Sequence, residues 1–164
     1  MNIDSSKLKS FEEQGITFFK NFLSLNDIEK ILKFFFYITS KYIKISKNIR
    51  SNLDIENQDL HNQLINLRTN EPDKFSDLYD EFKLNASIRS LFYSEKFLSF
   101  YASLLKANKE DLFINGFMLR LDAPMDKKNS LGWHQDSPYY MQTYPDLNGA
   151  VCWLPLTCNS ENNG

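Results

Sequence analysis

Two side chains near the end of the sequence have types and spacing suited to metal chemistry: His134 and Asp136, in the stretch "LGWHQDSPYY". Side chains two apart on an extended strand point to the same face, so an imidazole and a carboxylate would stand side by side. Such a pair, completed by a distant second histidine, is the 2-His-1-carboxylate set that binds Fe(II) and leaves positions open. The spacing therefore predicts a metal site at His134 and Asp136. One His-x-Asp motif is a weak signal by itself, and a surface histidine beside a turn aspartate is the alternative.

The other candidate ligands are less favourable. His61 lies in the polar helical context "NQDLHNQLINL" without a second ligand nearby in sequence, and we expect a solvated helix histidine rather than a ligand. Cys152 and Cys158 are the only cysteines and lack CxxC spacing. They predict neither a disulfide framework nor a zinc site, and both are expected to be reduced and structural.

Composition limits the classes of protein to consider. The chain has 164 residues, 42% hydrophobic content and a formal charge of −2, which suits a single globular domain without a nucleic-acid partner. The longest apolar stretch, Ile31 to Ile38, is interrupted by Lys33 and is far shorter than the about 20 residues that span a bilayer. We expect it to be a core helix. The N-terminus lacks the pattern of a secretory signal, which predicts a cytoplasmic protein with no membrane partner.

The densest basic run extends from Ser40 to Arg50. Its Lys41, Lys44 and Lys47 recur every three residues, which favours a solvated helix face. A patch that binds an anionic surface is the alternative.

Periodicity predicts helices first and strands later. A short strand from Ile16 to about Phe22 is followed by a helix that Ser24 caps, with Asp27 completing a capping box. Helical periodicity continues from Asn57 to Asn108. The apolar positions expected to face the core are Leu25, Ile28, Leu32 and Phe35 in the first of these helices and Leu98, Tyr101 and Leu105 in the last.

The pattern then changes to that of strands in "DLFINGFMLRLDAP" and "GAVCWLPLT". The sequence thus predicts one α+β domain over residues 1–164. Residues 1–110 are expected to be mainly helical, and residues 111–164 to begin a sheet.

The C-terminal part resembles a known family. The stretch from Phe117 to Gly164 has a strand entering a proline-containing loop, then "WHQD" and a tyrosine pair, then the apolar "VCWLPLT" leading into "ENNG". In this it is similar to the phytanoyl-CoA dioxygenase family of Fe(II)/2-oxoglutarate oxygenases. Upstream, "FFKNFLSLNDIEKIL" resembles the family's opening strand and helix. The resemblance implies a double-stranded β-helix, the cupin-like jelly roll.

Family members continue with strands that carry a distal iron-binding histidine and a basic residue for 2-oxoglutarate. No histidine follows His134 here, and no Arg or Lys follows Lys128. We therefore expect an N-terminal fragment whose jelly roll is truncated at its C-terminus and which has little activity alone.

The resemblance also implies chemistry and roles: hydroxylation of a small organic substrate with Fe(II), 2-oxoglutarate and O2. His134 and Asp136 correspond to iron ligands, and a carboxylate at Asp136 favours hydroxylation over halogenation, for which related enzymes have a small residue there. Trp153 and Met118 correspond to residues lining the 2-oxoglutarate pocket, a core tryptophan and a core methionine being the alternatives. Arg120 would share a strand face with Met118 and contact an anionic substrate, unless it is a surface arginine.

Two other classes of function stay open. One is a non-catalytic binding or scaffold module with the same fold, and the other is a cupin-like metalloenzyme with non-oxidative chemistry. The expected partner is a small-molecule substrate, whose identity the residues do not indicate. The oligomeric state is likewise not indicated.

Overall fold

The computed structural model describes residues 3–116, 118–122, 132–134 and 149–157. These residues form a helical layer followed by non-helical segments after residue 111, and no strand is assigned within the described ranges. The jelly roll therefore stays a prediction. The helices are α1 (Ser5–Gln14), α2 (Leu25–Thr39), α3 (Lys47–Asn52), α4 (Gln58–Asn70), α5 (Pro72–Leu84), α6 (Ala86–Phe92) and α7 (Glu95–Leu105), followed by a 3-10 turn (Lys109–Asp111). None of the helices in these ranges is both long and apolar enough to cross a membrane.

The start of α2 follows from its first residues, as predicted. The Asp27 N–H donates to Ser24 Oγ at 3.1 Å, and the Ser24 N–H donates to Asp27 Oδ2 at 3.2 Å. This reciprocal capping box satisfies two backbone donors that the helix itself cannot pair. In α5, Pro72 occupies the first turn, where its missing N–H has no consequence.

Helices α2, α4, α5 and α6 enclose the main core. Leu78 of α5 is completely buried, and Phe35 and Phe36 of α2 are 1% exposed. Leu25 is 85% exposed, so its predicted core position is wrong: it lies in the first turn of α2, and burial begins at Ile31. The core comprises Ile31, Phe35, Phe36, Ile38, Ile49, Leu60, Leu64, Leu67, Phe75, Leu78, Phe82, Ile88 and Leu119.

Helix α7 packs on the segment that precedes α2. Phe97 and Phe100 are buried, and their rings meet Phe22 and Phe19 at centroid distances of 5.2 and 4.9 Å. The buried face of α7 thus differs from the predicted one by about one residue. The predicted strand before α2 is instead a non-helical segment with a turn at residues 20–21.

The basic run does not form one helix face. Helix α2 ends at Thr39 and α3 begins only at Lys47, so the three lysines lie on a connection and a new helix, all of them exposed. Lys41 Nζ donates to Glu81 Oε2 at 2.6 Å, and Tyr42 Oη donates to Glu81 Oε1 at 2.7 Å. These bonds tie the end of α2 to α5. The hydrogen bond from Lys41, followed by that from Tyr42, lowers the pKa of Glu81 below its ordinary value of 4.5.

This Glu81 cluster predicts a pH dependence of stability. Because the folded-state pKa lies below the unfolded one, the ionised carboxylate stabilises the fold above pH 4.5, and this contribution disappears as the pH falls through the lowered pKa. We expect Glu81→Gln to be less stable than the native chain near neutral pH, and this difference in stability to be smaller near pH 3. Urea unfolding at both pH values measures this. A stability difference that is the same at both would contradict the assignment.

Candidate metal site and the segments around it

Residues 118–122, which lie outside the helices, alternate between exposed and buried side chains. Leu119 is buried and Leu121 packs against the core, while Met118 and Arg120 are exposed. This period of two is that of a strand with one covered face, and it places Met118 and Arg120 on the same outward face, as predicted. Arg120 forms an ion pair with Asp122 at 3.1 Å on that face. With 68% exposure, Met118 is outside the core of the described residues.

The backbone of Leu121 is held by two helices. Its N–H donates to Tyr79 Oη on α5 at 2.6 Å, and its carbonyl accepts from Arg68 Nη1 on α4 at 3.0 Å. Burial raises the pKa of Tyr79, so the phenol stays protonated at neutral pH. Both backbone groups of one residue are thus satisfied by helix side chains.

His134 is exposed, and its Nδ1 lies 2.8 Å from the carbonyl oxygen of Gly132. A carbonyl only accepts, so Nδ1 must carry the hydrogen, and in the neutral ring the lone pair is then on Nε2. Histidines that bind metals usually have this arrangement, in which a second hydrogen-bond partner fixes the tautomer and orients the ring. This contact favours the tautomer with the lone pair on Nε2, and the role of His134 as a metal ligand stays a prediction.

Asp136, the other predicted ligand, lies outside the described residues. Its carboxylate is chemically suited to Fe(II), and it stays a prediction. Within the described ranges there is no group of three or more His, Cys, Asp and Glu side chains arranged to hold a metal.

The segment 149–157 contacts the helical layer through Leu156, which packs against the core. Trp153 is 66% exposed, so it is outside the core of the described residues and presents its indole at the surface. Cys152 is a free cysteine, and the expectation that both cysteines are reduced and structural stays a prediction. The residue as a whole is exposed, yet burial of the thiol raises its pKa, so it stays protonated at neutral pH. Cys158 lies outside the described residues.

His61 has a structural role. Its Nε2 lies 2.6 Å from the carbonyl oxygen of Ile55, which requires a ring N–H at that nitrogen. The bond ties the start of α4 to the preceding loop. His61 is partly buried rather than fully solvated. That His61 is not a ligand stays a prediction.

Comparison with known proteins identifies the family. The sequence model described as Phytanoyl-CoA dioxygenase (PhyH) matches residues 11–164. The chain belongs to the phytanoyl-CoA dioxygenase family. The match covers the helical layer as well as the segments after residue 111, and it confirms the resemblance first seen in the C-terminal part. Members of the phytanoyl-CoA dioxygenase family are generally dependent on Fe(II) and 2-oxoglutarate, which places the chain among oxygenase-like proteins. No curated protein and no solved structure matched the chain.

Sequence reasoning missed Arg68 and Tyr79. Their contacts with Leu121 span 53 and 42 residues of sequence. A pattern of neighbouring residues in sequence does not indicate a contact partner so far away. An arginine or tyrosine on a helix is usually assigned to the helix surface. The available signal was weak: each sits next to an apolar stripe, Arg68 after Leu67 and Tyr79 after Leu78.

Proposed function

We propose that this protein is an Fe(II)- and 2-oxoglutarate-dependent dioxygenase that hydroxylates a small organic substrate. The family match over residues 11–164 carries the proposal. The tautomer of His134 supports it, because the hydrogen bond to Gly132 leaves Nε2 as the nitrogen that can coordinate iron. Asp136, two residues on, supplies the carboxylate of the set.

Each residue of the proposed site has a definite task. His134 and Asp136 hold the iron from one side and leave positions open for cosubstrate and oxygen. Bound Fe(II) supplies the redox chemistry by which O2 and 2-oxoglutarate yield a hydroxylated product, succinate and carbon dioxide. Met118 and Trp153 offer apolar surface that limits water around the cosubstrate. Arg120, paired with Asp122, is oriented on the same face as Met118 and offers a positive charge to an anionic group.

The fold that we propose for residues 111–164 is the first part of a jelly roll packed on the helical layer. The alternation of exposed and buried side chains in residues 118–122 supports it, and so does Leu156, which packs against the core from a second non-helical segment. The helices would then back one face of the sheet, because their apolar stripes need a surface to cover.

The decisive experiment uses the purified natural protein that contains this sequence. Supplied with Fe(II), 2-oxoglutarate and O2, it is expected to release succinate in step with oxygen uptake, even at the slow rate of reaction without substrate. Omission of iron or 2-oxoglutarate is the control and should abolish both signals. Metal binding without succinate release would favour the cupin-like metalloenzyme, and absence of metal binding would favour the scaffold module.

A further inference from the structure

The backbone of Leu121 forms hydrogen bonds with two side chains instead of with the backbone of a neighbouring strand. The N–H and C=O of one strand residue point to the same edge, where they normally bond to a neighbouring strand. At Leu121, Tyr79 Oη accepts the N–H and Arg68 Nη1 donates to the carbonyl. Two side chains from α5 and α4 thus occupy the place that a neighbouring strand would take. The Tyr79 and Arg68 side chains thus satisfy the backbone groups at this edge, and they fix which of residues 118–122 lies opposite α4 and α5.

Phe75 packs against both side chains that bond to Leu121, the Tyr79 phenol and the Arg68 guanidinium. It is 8% exposed, its ring lies 5.2 Å from that of Tyr79, one helical turn further along α5, and the Arg68 guanidinium lies 5.1 Å from its centre. The phenol and the guanidinium are therefore packed against a buried ring, which limits their rotation. Groups that are ordered before they bond position their partner more accurately than mobile ones.

The register of residues 118–122 against the helices determines which of their side chains face the core and which face outward. Leu119 and Leu121 face the core, while Met118 and Arg120 face outward. A shift of one residue would exchange the two sets and turn Met118 and Arg120 toward the helices.

We propose that Arg68 and Tyr79 are positioning residues that set the register of residues 118–122 and thereby the affinity for 2-oxoglutarate. The inference rests on the proposed function, in which Met118 lines the cosubstrate pocket. Neither residue contacts the reacting groups in this proposal. They act through the backbone of Leu121.

Tyr79→Phe tests the proposal because it keeps the ring against Phe75 and removes only the acceptor of the Leu121 N–H. In the natural protein we expect KM for 2-oxoglutarate to rise about three- to tenfold, as for loss of one hydrogen bond, with kcat changed less. Amide hydrogen exchange of residues 118–122 should accelerate by at least a similar factor. Arg68→Leu should act in the same direction, and Arg68→Lys, which keeps a donor, should restore part of the loss.

Tyr42→Phe is the matched control, since it removes another hydrogen bond of a phenol, that of 2.7 Å from Tyr42, in the turn after α2, to Glu81. A purely structural role would lower stability in both variants and leave KM unchanged in both. Unchanged exchange at residues 118–122 in Tyr79→Phe, or an equal rise of KM in Tyr42→Phe, would overturn the proposal. The exchange measurement needs no turnover. If the native protein releases no succinate, the proposed function fails, whereas faster exchange would still establish that Tyr79 holds this segment.

Discussion

Replacing His134 or Asp136 by alanine is expected to reduce iron-dependent succinate release more than about a hundredfold, because even the loss of a partner that orients a ligand costs about 10–100-fold. Each substitution removes a group that the proposal assigns to direct iron coordination, and binding of the metal should weaken accordingly. His134 is exposed and its truncation leaves the helical core intact. The measurements are succinate release and iron content of the natural protein, with thermal unfolding to confirm that the variants fold.

The second histidine provides the control. His61→Ala removes the bond to the Ile55 carbonyl, so some loss of stability is expected. Turnover per folded molecule should stay unchanged, because His61 holds a loop and no metal in this proposal. Near-normal succinate release by His134→Ala or Asp136→Ala, with iron retained, would refute the ligand assignment.

The largest expected effect on stability comes from Leu78→Ala. Leu78 is completely buried in α5 and belongs to the main core. Truncation removes its contacts and leaves a cavity that the packed helices fill only in part, which costs about 2–5 kcal/mol. Denaturant unfolding followed by circular dichroism measures the change in the free energy of unfolding.

Leu84→Ala is the matched substitution in the same helix, at a residue that is 63% exposed. It should change stability by no more than about 0.5 kcal/mol. If the two leucine variants lost similar stability, Leu78 would not lie in the cooperative core that the structure indicates.

Local features of the fold were predictable because their causes are local. The capping box of α2 needs only Ser24 and Asp27, three residues apart, and the helix begins where they predict. The phase of a buried face is harder to predict. In α7 the sequence offers Phe97, Leu98, Phe100 and Tyr101 as nearly equivalent apolar candidates, and contacts with Phe19 and Phe22 decide among them.

At the candidate site, too, local features were predictable from the sequence and contacts between distant residues were not. The His-x-Asp spacing and the surrounding residues were enough to identify the family, which the match over residues 11–164 confirms. The alternation of residues 118–122 was also readable, because a period of two is a local property. The Arg68 and Tyr79 bonds to Leu121 depend on how α4 and α5 pack, and no nearby residue indicates them. The pairing of strands in a jelly roll is non-local in the same sense, and it stays a prediction.

The exposure of the tryptophans gives the protein a spectroscopic label. The chain has two tryptophans, of which Trp133 is fully exposed and Trp153 is 66% exposed. Trp133 is adjacent to His134, and Trp153 belongs to the proposed pocket, whereas α1 to α7 contain none. Because water-exposed indole emits at longer wavelengths than buried indole, fluorescence excited selectively at tryptophan reports on this end of the molecule. A blue shift or quenching of this emission on addition of a metal or an organic acid would report binding near Trp133 or Trp153. The helices would not contribute to the signal, because they contain no tryptophan.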